Sequence, residues 1–210
     1  MNIYERIFKL WTSICKMMVD GVRDPEKIAE ILQAIVNEPV TIASKYLRRL
    51  FDNETITLDA TDGIETLAKS KDVFTGYVDH DFVNWNLDVS GKPIPAIKVT
   101  VYEMSKDGDF KTIYGSLSVD LDKLRLSQGQ IRAFAKTHPD KLRKDGYSTF
   151  FLFTRGDEPV NKDKSNLFVA SVHFDDSGRL EVSVREFSYE SVWNAKYEYR
   201  FVLPQQTLVS

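Results

Sequence analysis

The sequence is poor in the residues that support metal centres and disulfide scaffolds. Cys15 is the one cysteine among 210 residues, and His80, His138 and His173 are the only histidines. Neither an intramolecular disulfide nor a cysteine-based zinc cluster can form, and such sparse cysteine usage is typical of a reducing compartment. We therefore expect a cytoplasmic protein that holds neither a metal nor a cofactor.

Long apolar runs are also missing. Glu5, Arg6, Lys9 and Lys16 interrupt the apolar residues of the N-terminal segment. A signal peptide needs an unbroken apolar stretch, and a membrane span needs about 20 mostly apolar residues in a row. We therefore expect neither a signal peptide nor a membrane-spanning helix in this segment.

The motifs of several enzyme classes are absent from the sequence. It contains no Walker-type phosphate loop, dinucleotide-binding fingerprint, nucleophile elbow, HExxH motif or calcium loop. A net charge of −3 excludes a globally basic nucleic-acid binder, although a local basic surface is still compatible with it. Hydrophobic residues make up 42% of the chain, as in a folded protein with one substantial core or one domain with a helical appendage.

Residues 1–51 are predicted to form a helical segment. Asp24 and Pro25 are suited to the N-cap and first position of a second helix, and Pro39 to the start of a third, which would extend through Tyr46 to Leu50. In the first helix, apolar residues recur at steps of three and four and form one stripe: Tyr4, Ile7, Phe8, Trp11, Ile14, Cys15 and Met18.

Residues 52–210 are predicted to form an α+β domain, in which a mainly antiparallel sheet carries one inserted helix. The segment IKVTVYEM alternates as a strand, and the turn at residues 106–108 leads back into FKTIYGSL. Ser127 and Gln130 match a capping box, which predicts the start of the helix, and His138-Pro139 its end. Four apolar segments, YSTFFLFT, LFVASVHF, RLEVSVREF and KYEYRFVL, predict the strands of a C-terminal β-meander.

The loop between the second and third of these strands is predictable in detail. A three-residue connection through Asp176, Ser177 and Gly178 keeps apolar residues opposite each other, with Gly178 in the left-handed conformation. In this register Val172 faces Val182 and Phe174 faces Leu180, whereas a four-residue loop would mix the buried and exposed faces. The same register places His173 opposite Glu181 on the polar face.

The segment Asp79-His80-Asp81 is the first candidate for chemistry. A histidine between carboxylates can act as a general base or a metal ligand, because a carboxylate orients the imidazole ring. Adjacent strand residues point to opposite faces, however, so the three side chains converge only if the backbone turns there. A polar strand end is the alternative interpretation.

The segment from Lys123 to Lys144 is the second candidate. Seven basic residues stand against one acid, Asp140, which gives the segment a charge of +6. A basic helix on an acidic protein suits weak, nonspecific nucleic-acid binding, whereas nearby acids would make it an ordinary solvated surface. The residues proposed to contact nucleic acid are Arg132, Lys136, Lys141, Arg143 and Lys144.

Two short runs resemble uncharacterised bacterial proteins. They are Asp24–Gln33 (DPEKIAEILQ) and Phe82–Trp85 (FVNW). The resemblance covers a small part of the chain and implies neither a function nor a site residue.

The leading functional hypothesis is a non-enzymatic binding or protein-interaction module. The apolar side chains of the first helix exceed what one short helix needs for its own packing, so they predict packing on the sheet, a homo-oligomer or a protein partner. A metal-assisted or acid–base enzyme centred on Asp79, His80 and Asp81 is the first alternative. Nucleic-acid binding through residues 123–144 is the second.

Overall fold

The structure, a computed structural model, describes residues 3–21, 24–30, 44–51 and 54–205. The chain divides into two compact units, residues 1–40 with 206–210, and residues 41–205. Among the described residues, no helix combines the length and the apolar character that a membrane crossing requires.

The first unit is helical where it is described. Helix α1 spans Ile3–Val19, and residues 25–30 are helical as well. The Asp24 carboxylate accepts a hydrogen bond of 3.0 Å from the N–H of Glu26, which confirms Asp24 as an N-cap. The rest of the second predicted helix and the start of the third lie in residues 31–43, outside the described residues.

The second unit combines a sheet with helices. Its strands are β1 (Leu47–Arg49), β2 (Ile56–Leu58), β3 (Tyr77–Val78), β4 (Ile97–Met104), β5 (Thr149–Thr154), β6 (Leu167–Phe174), β7 (Leu180–Glu186) and β8 (Arg200–Pro204). Its α-helices are α2 (Asp81–Asn84), α3 (Phe110–Gly115) and α4 (Gln128–Thr137). Short 3-10 helices occupy Leu67–Lys69, Leu121–Leu124, Pro139–Lys141, Arg155–Asp157 and Ala195–Tyr197.

The eight strands form one mixed sheet. Their order is β1-β4-β8-β5-β6-β7-β3, and β2 also pairs with β4. Strands β3 and β7 are parallel, as are β5 and β8, and the other pairs are antiparallel. The α+β class is confirmed, but the prediction of a mainly antiparallel sheet is wrong, because both parallel pairs join strands that are distant in the sequence.

Both faces of the sheet carry a hydrophobic core. In β5, Phe151 and Phe153 belong to one core, while Phe150 and Leu152 belong to the other. Helix α4 covers the first core through Ile131 and Phe134, and helix α3 contributes to the second. Burial on both faces explains why the central strands read as nearly continuous apolar runs.

The prediction that residues 1–51 are helical throughout is wrong at its C-terminal end. Residues 47–49 form β1, where Leu47 pairs with Met104 and Arg49 with Tyr102. The apolar residues of so short a run fit the period of a helix as well as that of a strand. The structure of residues 47–49 is therefore decided by their pairing with β4, which lies far along the chain.

The prediction of a single inserted helix is also wrong, because the second unit contains α2, α3 and α4. The segment FKTIYGSL forms α3 rather than the strand that would complete a hairpin. Asp109 caps this helix, and its carboxylate accepts a hydrogen bond of 2.7 Å from the N–H of Thr112. The cap satisfies an N–H that has no partner within the helix and stabilises it locally.

The C-terminal strands follow the prediction up to β7. Strands β5, β6 and β7 form an antiparallel meander, but β8 returns to the middle of the sheet and lies between β4 and β5. Phe201, Val202 and Leu203 are buried in succession, with Val202 in one core and its two neighbours in the other. A strand buried on both faces is stabilised more in the interior of a sheet than at its edge.

Two local predictions are confirmed in detail. Val172 pairs with Val182 and Phe174 with Leu180, and Gly178 has a φ of 77°. At the start of α4, Ser127 and Gln130 form the reciprocal hydrogen bonds of a capping box, and His138 is the C-cap.

Candidate functional site

A cleft of about 390 Å³ lies beside the edge strand β3. Its apolar lining includes Phe74, Val78 and the exposed side chains of Tyr77 and Val83. Polar groups also line it, namely Lys71, Thr75, Asp79 and His80. The cleft therefore contains two residues of the predicted Asp79-His80-Asp81 candidate.

Asp79 is held by the backbone on both sides. Its Oδ1 accepts a hydrogen bond of 3.1 Å from the N–H of Asp81, and its Oδ2 accepts one of 3.3 Å from the N–H of Val184 in β7. Arg185 Nη1 lies 3.7 Å from the same Oδ2. These contacts fix the end of β3 against β7 and start the turn into α2.

The backbone does turn at His80, which has helical dihedral angles and precedes α2. Its ring is exposed and meets the Tyr77 ring edge-on, with 6.1 Å between the centroids. Asp81 Oδ1 accepts a hydrogen bond of 3.1 Å from the Asn84 side chain. Within the described residues, no group of three or more His, Cys, Asp or Glu side chains is placed to hold a metal ion.

A second polar group lies on the β6–β7 hairpin. His173 Nε2 is 3.1 Å from Glu181 Oε2, as the predicted register requires. The Ser171 hydroxyl instead donates to that of Ser148 at 2.7 Å. The structure therefore shows a cross-strand His–Glu pair, and no serine of the described residues forms a hydrogen bond with the histidine.

Gly76 allows β3 to approach this pair closely. A Cβ atom at residue 76 would lie 2.7 Å from Cγ of Glu181 and 3.1 Å from the Leu180 carbonyl oxygen. Gly76, Tyr77 and Val83, the last two being exposed apolar residues of the cleft, were not among the predicted site residues. A glycine next to a short strand is the signal that indicates such an approach.

Acids outside the basic segment neutralise much of its charge. Arg132 on α4 contacts Glu65 at 3.0 Å and Asp72 at 2.6 Å, and Lys141 contacts Glu54 at 2.6 Å. Of the five proposed nucleic-acid contacts, Lys136 and Lys144 are exposed and have no ion pair among the described residues. Arg132 and Lys136 are four residues apart on α4, but the guanidinium of Arg132 is engaged by carboxylates.

Arg143 is engaged as well, but less tightly. Its Nη1 is 3.3 Å from Asp145 Oδ2, and its Nη2 is 3.4 Å from Glu198 Oε2. Arg125 and Lys123, at the start of the segment, pair with Asp122 and Asp120. Within residues 123–144, Lys136 and Lys144 are therefore the exposed cations that form no ion pair with a described acid. They lie eight residues apart in the sequence.

Helix α1 presents apolar side chains to solvent. Phe8 is 67% exposed and Trp11 is 50% exposed, and Met17 and Val19 are exposed as well. Cys15 is a free, half-buried thiol on the same helix. The other described phenylalanine and tryptophan side chains are buried or half-buried, so among the described residues exposed side chains of these two types occur on α1 alone.

No protein-family model, curated protein or solved structure matches this chain. Three surfaces of the described residues are therefore the candidates for a function: the cleft beside β3, the basic segment and the exposed face of α1.

Proposed function

We propose that this protein is a non-enzymatic interaction module that self-associates through the exposed apolar face of α1. The observation that carries the proposal is the exposure of Phe8 and Trp11, which lie three residues apart and therefore share one side of the helix. Large aromatic side chains exposed next to each other are typical of a surface that another protein covers.

The spacing of these residues suits helix-to-helix packing. Phe8, Trp11, Cys15 and Met18 follow steps of three, four and three residues, the repeat of a coiled-coil seam. Burying one large apolar side chain stabilises a complex by about 1.5–3 kcal/mol. Two aromatic residues from each of two copies therefore supply a substantial driving force, and a second copy of α1 offers the matching surface.

Sedimentation equilibrium of the full chain tests the proposal. We expect the wild type to be a dimer or larger species and the Phe8→Ser/Trp11→Ser variant to be a monomer. Val119→Ser/Val192→Ser is the matched control, because these exposed apolar residues lie in the second unit. A wild type that is monomeric at every concentration, or an aromatic variant that associates like the wild type, would contradict the proposal.

The two alternatives have less support. Asp79 and Asp81, the carboxylates of the acid–base or metal hypothesis, accept hydrogen bonds from backbone and amide groups, so they are less available to a substrate. For the nucleic-acid hypothesis, carboxylates already pair with Arg132, Lys141 and Arg143. We also propose a reducing compartment such as the cytoplasm, because Cys15 has no second cysteine in the chain.

A further inference from the structure

A pocket of about 300 Å³ in the second unit brings two arginines together. It lies where the segment after α4 meets the start of β8. The residues that line it are Asp140, Leu142, Arg143, Lys144, Asp145 and Arg200. Three of them are cations, and Arg200 played no part in the sequence-based candidates.

Arg200 is fixed in place by neutral groups. Its Nη1 donates to the carbonyl oxygens of Lys141 at 2.7 Å and Leu142 at 2.9 Å, at the end of a 3-10 helix. Its Nε is buried and has no hydrogen-bond partner in the part of the chain that the structure describes. No carboxylate of the described residues lies within 4.0 Å of its guanidinium.

Such an arginine is unusual, because a partly buried guanidinium is normally paired with an acid. Burial and the neighbouring Arg143 lower the pKa of Arg200 from its ordinary value, while more distant carboxylates oppose the effect. Burial and the positive charge of Arg143 both make the charged form of Arg200 less favourable, yet an arginine stays charged at neutral pH. A bound anion would offset both the desolvation and the repulsion between the two guanidiniums.

Arg143 is positioned but only loosely neutralised. Its backbone N–H donates to Thr149 Oγ1 at 2.7 Å, and its guanidinium lies 5.6 Å from the centroid of the Tyr147 ring. The two carboxylates that it contacts, at 3.3 and 3.4 Å, are 75% and 50% exposed. Strong charge-assisted pairs are closer, at about 2.7–2.9 Å, so an incoming anion competes with weak contacts.

We propose that this pocket binds the phosphate group of a small molecule through Arg143, Lys144 and Arg200. A phosphate offers several oxygens to the planar, preorganised donors of two guanidiniums, and exposed Lys144 adds a third positive charge. All the lining residues belong to the second unit, so the proposal does not depend on self-association through α1.

Inorganic phosphate is the probe for this site. The full chain is titrated with phosphate, and with acetate at the same ionic strength, while backbone amide shifts are followed by NMR. We expect saturable shifts in phosphate that centre on residues 140–147 and on Arg200, and weaker shifts in acetate. Lys144→Gln is expected to weaken phosphate binding by about tenfold, as loss of one charged hydrogen bond implies.

Lys136→Gln is the matched control, because Lys136 is also an exposed lysine without an ion pair among the described residues and lies outside the pocket. Retained affinity in this control and loss in Lys144→Gln and Arg143→Gln would support the site. Equal affinity in all three variants, shifts scattered over the surface, or no saturation in phosphate would overturn it. Equal binding of acetate and phosphate would overturn the assignment to phosphate.

Discussion

Replacement of Tyr114 by phenylalanine is expected to stabilise the second unit. Tyr114 lies on α3 and is fully buried, with its ring 5.5 Å from Phe201 and 6.1 Å from Phe187, centroid to centroid. Its hydroxyl is buried too and has no hydrogen-bond partner among the described residues. In the unfolded chain the same hydroxyl binds water, so folding costs the full desolvation of that group.

The size of the effect follows from two opposing contributions. An unpaired buried polar group costs about 1–3 kcal/mol, which Tyr114→Phe removes. The variant loses the packing of one oxygen atom, and this loss is smaller than the roughly 0.8 kcal/mol of a buried methylene. The net gain in the free energy of unfolding is therefore about 1 kcal/mol, or about 2–4 °C in the melting temperature of a chain of this size.

Urea and thermal unfolding, followed by near-ultraviolet circular dichroism, measure this gain. Tyr77→Phe is the control, because its exposed ring leaves the hydroxyl in water and predicts a change close to zero. Burial raises the pKa of Tyr114 far above its ordinary value of 10.0, so above pH 10 this hydroxyl ionises in the unfolded chain but not in the folded protein, and the free energy of unfolding falls. Tyr114→Phe should lose less stability above pH 10. A destabilised variant would refute the reasoning and show that the hydroxyl has a partner.

Two further predictions concern the hairpin and its neighbour. Gly76→Ala should destabilise the protein by roughly 1–2 kcal/mol in urea unfolding, because its Cβ would overlap Glu181 and approach the Leu180 carbonyl. Gly115→Ala is the control and should not destabilise the protein, because its Cβ would meet no atom within 4 Å. Equal effects of the two substitutions would count against the close approach. Hydrogen bonds from the N–H of Arg179 and from the Ser177 hydroxyl lower the pKa of Asp175 well below 3.8. Its stabilising contribution is therefore present above that value and is lost as the pH falls through the lower, folded-state pKa. In the Asp175→Asn variant, the free energy of unfolding should therefore decrease less between pH 4 and lower pH than in the wild type. An acid-unfolding profile identical to that of the wild type would contradict this prediction.

Local chemistry explains the parts of the fold that the sequence predicted correctly. The β6–β7 register follows from matching apolar residues and from Gly178, and the start of α4 follows from Ser127 and Gln130. Each depends on residues within about ten positions of one another. Such signals are complete in the sequence.

Long-range pairing explains the parts that the sequence did not predict. Strand β1 depends on β4, more than 50 residues later, and β8 depends on both β4 and β5. The Asp109 cap of α3 is a local signal, but it was not used in the prediction, which extended the hairpin suggested by the preceding strand. For the candidate sites, the partners of Arg132 and Lys141, namely Glu65, Asp72 and Glu54, are also distant in sequence.

Hydrogen–deuterium exchange at a series of protein concentrations tests the self-association of α1 most directly, because it reports both the association and its location. We predict that amides of residues 8–19 exchange more slowly as the concentration of the full chain rises. The Phe8→Ser/Trp11→Ser variant should show no such dependence. Exchange in residues 8–19 that is independent of concentration, or slowing confined to segments around Val119 or Val192, would contradict the account.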